Sequence, residues 1–182
     1  MKILKTMTLC LTIISGTIAM AQDNKTDDLM SDSKIAKAAL LEKDTGLQDF
    51  FNNSAGYVIF PNVGKGGFIV GGASGNGILY ENGIAQGVAD LKKVSVGFQA
   101  GGQAVIEIIF FESKSDLNEF KDGDFEFAAG VSAVALKSGI AANAKFKDGI
   151  AVFTLPKAGL MADASVGGQK FSYESFTEKG SK

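Results

Sequence analysis

Glycines alternate with β-forming apolar residues over residues 57–77, and this pattern constrains the fold more than any other part of the chain. Glycine at this density disfavours a helix, because each one costs the helix about 1 kcal/mol relative to alanine. Residues 94–102 show a similar alternation, with an apolar side chain at every second position, which is typical of a strand with one apolar face. The chain is therefore expected to be mainly β after its N-terminal third.

Strands are predicted near residues 57–60, 67–73, 77–81, 84–90, 93–101, 104–111, 125–136, 140–147, 149–155 and 159–172. Three dipeptides that accept positive φ predict tight hairpin turns and antiparallel pairing: Asn76-Gly77, Asn82-Gly83 and Asp148-Gly149. The run 104–111 is apolar on both faces apart from Glu107, as in a central strand that is covered on both sides.

Helices are predicted before the sheet and once within it. Ala36, Leu40, Leu47 and Phe51 lie at helical spacing, and Thr45 can cap Gln48, so this region is expected to break into two amphipathic helices. A short helix is predicted over residues 114–121, ending where Gly123 can adopt a left-handed conformation. The predicted fold class is α+β, mainly β: an antiparallel sheet curled into a barrel or sandwich, with N-terminal helices and one short mid-chain helix.

The N-terminus has the form of a signal peptide. Lys2 and Lys5 precede an apolar stretch over residues 7–18, and Ala19-Met20-Ala21 matches a small-x-small cleavage site. An uncleaved anchor is the alternative, but the stretch is shorter than the roughly 20 residues that a spanning helix needs. We therefore predict a signal peptide over 1–21, a flexible segment over 22–28, one domain over 29–174 and a polar tail over 175–182, in an exported, periplasmic or secreted protein.

Composition restricts the possible functions. Every basic residue is lysine, and the formal net charge is −2, so a nucleic-acid partner is not expected. Histidine is absent, and the only cysteine is Cys10 in the signal segment. A histidine base, a cysteine nucleophile in the mature chain and the usual His/Cys metal ligands are therefore missing. Composition leaves a carboxylate pair or a Ser-Lys dyad open, but no spacing in the chain points to one. We expect no enzymatic activity, no metal and no cofactor.

Five segments together resemble the bacterial branch of the SYLF-domain family: residues 57–61, 64–72, 94–102, 107–111 and 167–171. The resemblance runs from about Ala36 to Tyr173. Eukaryotic members of this family bind phosphoinositide membranes and, in yeast, actin. For an exported chain the resemblance implies an anionic phospholipid or another acidic lipid, such as phosphatidylglycerol, cardiolipin or lipopolysaccharide, and makes actin an unlikely partner.

Candidate lipid-binding residues are a glycine turn and several lysines near predicted strand ends. Backbone amides of a glycine turn can surround an anion, and each lysine near an anionic bilayer contributes about 1 kcal/mol. The alternatives are an ordinary tight turn or bulge and scattered, solvated lysines. The candidates are Lys65, Gly66, Gly67, Lys92, Lys93, Lys137, Lys145 and Lys147.

Leu47, Phe50 and Phe51 form a second candidate surface, because an amphipathic helix can insert its apolar face into the membrane interface. Packing of the same face on the sheet is the alternative. Burying Glu107 as a charged group would be costly, so we expect this residue either to titrate abnormally or to face outward. We assign it no role.

The predicted function is non-catalytic binding of a lipid or membrane surface. A structural or partner-binding protein of the cell envelope is the alternative. A small outer-membrane β-barrel and a hydrolase are weaker alternatives, because the chain lacks an aromatic-tipped final strand and shows no base or nucleophile.

Overall fold

The computed structural model describes residues 24–66, 70–96, 103–123, 125, 133–157 and 169–177, and the side chains of Lys65 and Lys93 are not among the features described. The predicted signal peptide, Gly67 and most of the predicted strands 125–136 and 159–172 lie outside these ranges.

Within the described ranges, seven strands form one sheet in the order β5-β6-β4-β1-β2-β3-β7. All neighbours pair antiparallel except β5 and β6, which are parallel. The predicted fold class is confirmed. The strands are β1 Gly56–Gly66, β2 Val70–Glu81, β3 Ile84–Val96, β4 Gln103–Phe111, β5 Val134–Ala135, β6 Ile150–Pro156 and β7 Gln169–Ser175.

The sheet buries both of its faces. Along β4, Ile109 and Phe111 join one apolar cluster, while Ile108 and Phe110 join another on the opposite face. We call the first cluster the inner core and the second the outer core. This double burial confirms that residues 104–111 form a strand covered on both sides.

Strong curvature encloses the inner core. Phe60 of β1 and Phe171 of β7 lie three strands apart, yet their ring centroids are only 5.8 Å from each other. Gln169 Nε2 of β7 also donates to Glu107 Oε2 of β4 at 3.2 Å. Because neighbouring strands are about 4.8 Å apart, a flat sheet could not make either contact. The sheet therefore curls until β7 faces the strands at its centre.

Helices cover the remaining apolar surfaces. Helix α1 (24–43) and helix α2 (Leu47–Asn53) pack on the outer core, the first with Ala36 and Leu40 and the second with Leu47 and Phe50. Helix α3 (Lys114–Lys121) closes the inner core with Leu117 and Phe120. None of the helices within the described ranges has the length and apolarity required to span a membrane.

Helix α3 begins and ends where the sequence predicts. Ser113 and Asp116 form a reciprocal capping box, and Gly123 at φ 92° closes the helix as predicted. Helix α1, by contrast, already includes residues 24–28, where a flexible segment was expected.

Two turn predictions are confirmed and one is wrong. Asn82-Gly83 has φ values of 52° and 77°, and Asp148-Gly149 has φ values of 50° and 77°. Asn76-Gly77 instead lies inside β2, opposite Asp90 and Ala89 of β3. Gly77 is required there because a Cβ atom would lie 2.7 Å from both the Ile59 carbonyl oxygen and the Phe60 ring.

The predicted strand 140–147 is also wrong. Residues Ala141–Asn143 form a short 3₁₀ helix, and the chain then continues as a loop over the outer core. The alanines in this segment leave little side-chain volume, which allows the backbone to approach α2 closely: a Cβ on Gly46 would lie 3.1 Å from the Ala142 nitrogen. Tertiary packing, and not strand propensity, determines the local structure here.

Gly77→Ala is expected to destabilise the fold by about 1–3 kcal/mol, because the sheet must shift to admit the new methyl group. Gly64→Ala is the matched control, since a Cβ at that exposed site meets no atom within 4 Å. Urea unfolding measures both variants, and the control should remain within about 0.5 kcal/mol of the parent. Equal stability of the two variants would contradict the position of Gly77 inside β2.

Candidate functional site

Two lysines lie directly opposite each other on the outer face of the sheet. Lys92 of β3 pairs in register with Lys170 of β7, and both side chains are exposed. Opposite residues of antiparallel strands have Cα atoms about 4.5–5.5 Å apart, so two positive charges share a small area. Sequence reasoning selected Lys92 but missed Lys170, because the pair is apparent only from the β3–β7 register.

Small residues continue this line across the sheet. Lys92 pairs with Ser74 of β2, and Ser74 pairs with Gly64 of β1. Both are exposed. We call Gly64, Ser74, Lys92 and Lys170 the cross-strand row. Because the two smaller residues do not project far, the row presents a low polar surface with its lysines at one end.

Acidic groups limit the positive area on one side. Asn76 Nδ2 donates to the Asp90 carboxylate in the next row of the sheet. Asp90 and Glu174 also line a groove of about 350 Å³ between this face and the start of α1, together with Asp28 and Asp32. Acidic side chains therefore border the two lysines of the cross-strand row on one side.

The residues of the predicted glycine turn that the structure describes form part of a strand. Lys65 and Gly66 belong to β1 and pair with Ala73 and Gly72 of β2. A tight turn at these two positions is excluded, and Gly67 lies beyond the described part of the chain. Lys93 pairs with Gln169 in the ladder between β3 and β7, one position from the Lys92–Lys170 pair.

The remaining candidate lysines do not converge on this row. Lys137, Lys145 and Lys147 are exposed in the segment that connects β5 to β6, where the predicted strand 140–147 does not form. Lys145 lines a groove beside α2 together with Asp49 and Glu112. Because carboxylates share its surroundings, Lys145 is not part of a purely basic surface.

The candidate membrane-inserting residues lie in or against the outer core. Leu47 is fully buried and Phe50 is 8% exposed, so neither is available for insertion in this conformation. Phe51 is half-buried, and the Lys37 ammonium lies 4.2 Å from the centre of its ring. The packing alternative therefore describes this face, because the rings of Phe50 and Phe51 both pack on Phe110.

Glu107 points into the inner core, and the outward orientation is wrong. It is 2% exposed and accepts a hydrogen bond from Gln169, which is itself 1% exposed. A buried carboxyl group requires polar partners, and Gln169 provides one of them. Across the described ranges, no group of three or more His, Cys, Asp or Glu side chains is arranged to hold a metal ion.

Asp44 fixes the corner between α1 and α2, a role that the sequence did not reveal. Its Oδ1 accepts from the Gly46 nitrogen at 3.0 Å, and its Oδ2 accepts from the Ala141 nitrogen at 2.8 Å. Burial acts to raise the pKa of this carboxyl. Backbone N–H groups, led by those of Ala141 and Gly46, outweigh that effect and hold the pKa below its ordinary value. The predicted cap at Thr45 is absent, since α2 starts without a side-chain cap.

Asp44→Asn is expected to destabilise the protein at neutral pH by about 1–3 kcal/mol, because an amide cannot accept both backbone hydrogen bonds. A depressed pKa gives stability that is fully present above the unfolded-state value of about 4 and is lost on further acidification. The difference between parent and variant should therefore shrink below about pH 4. Thermal unfolding across this range measures it.

Asp49→Asn, which changes an exposed carboxylate of α2, is the control and should leave stability within about 0.5 kcal/mol. A difference for Asp44→Asn that stays constant down to pH 3, about one unit below the reference pKa of an aspartate, would contradict the role of the charged form.

Comparison with known proteins relates part of the chain to a known family. A family model described as Ysc84, Las17-binding protein actin regulator, matches residues 92–178, which include the strands from the end of β3 to β7. A curated protein, beta cell expansion factor A of Aeromonas veronii, is 30% identical over 83 residues, covering 44% of this chain and 32% of that protein. The chain thus matches about a third of the length of this relative. The predicted resemblance is confirmed over residues 92–178, the part of the chain that matches the SYLF (Ysc84) family model.

Proposed function

We propose that this protein is a non-catalytic, exported binding protein that attaches peripherally to anionic lipid surfaces through the cross-strand row. Its match to the SYLF family model supports a binding role in general. The lysine pair at Lys92 and Lys170 is the observation that carries the more specific proposal.

Electrostatics favours an anionic partner at this position. Lys92 and Lys170 place two lysine side chains on one small part of the outer face. A surface of negative headgroups adds attraction of about 1 kcal/mol for each lysine near the membrane. Both lysines fall within the matched residues 92–178, although only one was expected from the sequence.

The shape of the row suits a planar surface. A Cβ built on Gly64 meets no atom within 4 Å, and Ser74 beside it is exposed. A headgroup layer can therefore approach the backbone of β1 and β2 while the longer lysine side chains reach the phosphates. The Ser74 hydroxyl can donate a hydrogen bond to a phosphate oxygen.

A protein partner is the second candidate. The description of the matched family names a protein that binds Las17, and this supports a protein-binding role for the domain. In an exported chain such a partner would belong to the cell envelope.

Co-sedimentation of residues 22–182 with vesicles tests the lipid proposal. We expect binding to vesicles of phosphatidylglycerol and phosphatidylcholine at low salt, weaker binding at high salt, and none to phosphatidylcholine alone. The double variant Lys92→Glu and Lys170→Glu should weaken binding at least about thirtyfold, since it removes about 2 kcal/mol of attraction and adds repulsion.

Lys34→Glu with Lys43→Glu is the matched control, because it makes the same charge change at exposed positions of α1. An equal loss in the control would indicate a dependence on net charge alone and would contradict the assigned surface. Absence of binding to every vesicle would favour the protein partner.

A further inference from the structure

A groove of about 460 Å³ lies on the outer side of the molecule, between α2 and the segment 141–146. Helix α2 contributes Asp49, Phe50 and Asn53 along one wall. The opposite wall comes from the alanine-rich segment and Lys145, and Glu112 also lines the groove. The volume is within the range of about 300–1,000 Å³ that is usual for small-molecule sites.

Aromatic rings and small side chains form the floor. Phe50 and Phe146 are tilted against each other with ring centroids 5.2 Å apart, and Phe50 also packs on Phe110 and Phe153. This packing fixes Phe50, so the floor is preformed. Ala141, Ala142 and Ala144 leave the space above the rings open, because none of their side chains extends beyond a methyl group.

Opposite charges line the rim without meeting. Asp49, Glu112 and Lys145 are all exposed lining residues. Glu81 forms ion pairs with Lys114 and Lys121, whereas neither Asp49 nor Glu112 pairs with Lys145. The lining of the groove thus combines an apolar, aromatic part with two carboxylates and one ammonium that do not pair with one another.

We propose that this groove binds a small zwitterion, in which a primary ammonium is joined by a short chain to an acidic group. The ammonium lies toward Asp49 and Glu112 and close to the faces of the aromatic rings, which attract cations. The acidic group lies toward Lys145, and the connecting carbons cover the floor. A ligand of this form completes both charge pairs that the protein alone leaves apart.

This inference goes beyond the proposed function, since the groove contains neither Lys92 nor Lys170. The same ligand chemistry occurs in free amino acids and in the phosphoethanolamine headgroup of a lipid. Phenylalanine represents the first source, and phosphoethanolamine and a soluble short-chain phosphatidylethanolamine represent the second.

Titration of residues 22–182, followed by amide chemical shifts in 46–53 and 141–146, tests the site. Phosphoethanolamine is compared with its two halves, ethanolamine and inorganic phosphate. We expect the zwitterion to bind roughly five- to tenfold more tightly than either half, because each rim charge adds up to about 1 kcal/mol. Stronger binding of phenylalanine identifies the free source, and stronger binding of the short-chain lipid identifies the headgroup.

Two variants probe the walls. Ala142→Phe places a ring in the groove at an exposed position and should abolish binding of phosphoethanolamine. Its control, Ala38→Phe on the exposed face of α1, should leave binding unchanged. Lys145→Glu should weaken binding at least about threefold. Lys137→Glu, which changes an exposed lysine between β5 and β6 that does not line the groove, should not weaken binding.

Equal affinity for phosphate and phosphoethanolamine, binding that survives Ala142→Phe, or absence of binding by all of these probes would overturn the proposal. Failure here is distinguishable from failure of the proposed function. Ala142→Phe is expected to leave sedimentation with anionic vesicles intact, and the Lys92 and Lys170 double variant is expected to leave phosphoethanolamine binding intact.

Discussion

Burial of both faces of β4 is the constraint on which the rest of the structure depends. Successive side chains from Val105 to Phe111 point alternately into the inner and outer cores, and all are buried. A strand with two apolar faces requires cover on both sides. The sheet supplies one cover by curling until β7 reaches the inner core, and the helices supply the other. The positions of α1, α2 and the 141–146 segment all follow from this requirement.

The same arrangement separates the two proposed sites. The cross-strand row occupies the part of the outer face formed by β1, β2, β3 and β7, whereas the groove lies where α2 covers β4 and β6. One site consists of neighbouring like charges on a low surface, and the other of separated opposite charges above aromatic rings. Their chemistry therefore favours different ligands, an extended anionic layer in the first case and a small dipolar molecule in the second.

Local patterns in the sequence predicted much of the fold. Alternation located the residues of the first four strands, although it divided β2 and β3 into two predicted strands each. The positive-φ dipeptides located two turns. Both signals depend on neighbouring residues. The errors occurred where distant residues decide the outcome. Gly77 resembles a turn residue but is needed for the close approach of Ile59 and Phe60, and the segment after Ile140 is shaped by packing on α2. The Lys92–Lys170 pair required the register of β7, which no local pattern contains.

The hydrogen bond from Ala141 to Asp44 joins residues that are 97 positions apart in the chain. Contacts of such long sequence separation form late, because a large loop must close before the hydrogen bond can stabilise the protein. During synthesis, α1 and α2 emerge long before their partner segment exists. The corner between them can therefore take its final shape only after most of the sheet has been made, and the N-terminal helices are the first part of the domain to appear and among the last to be locked in place.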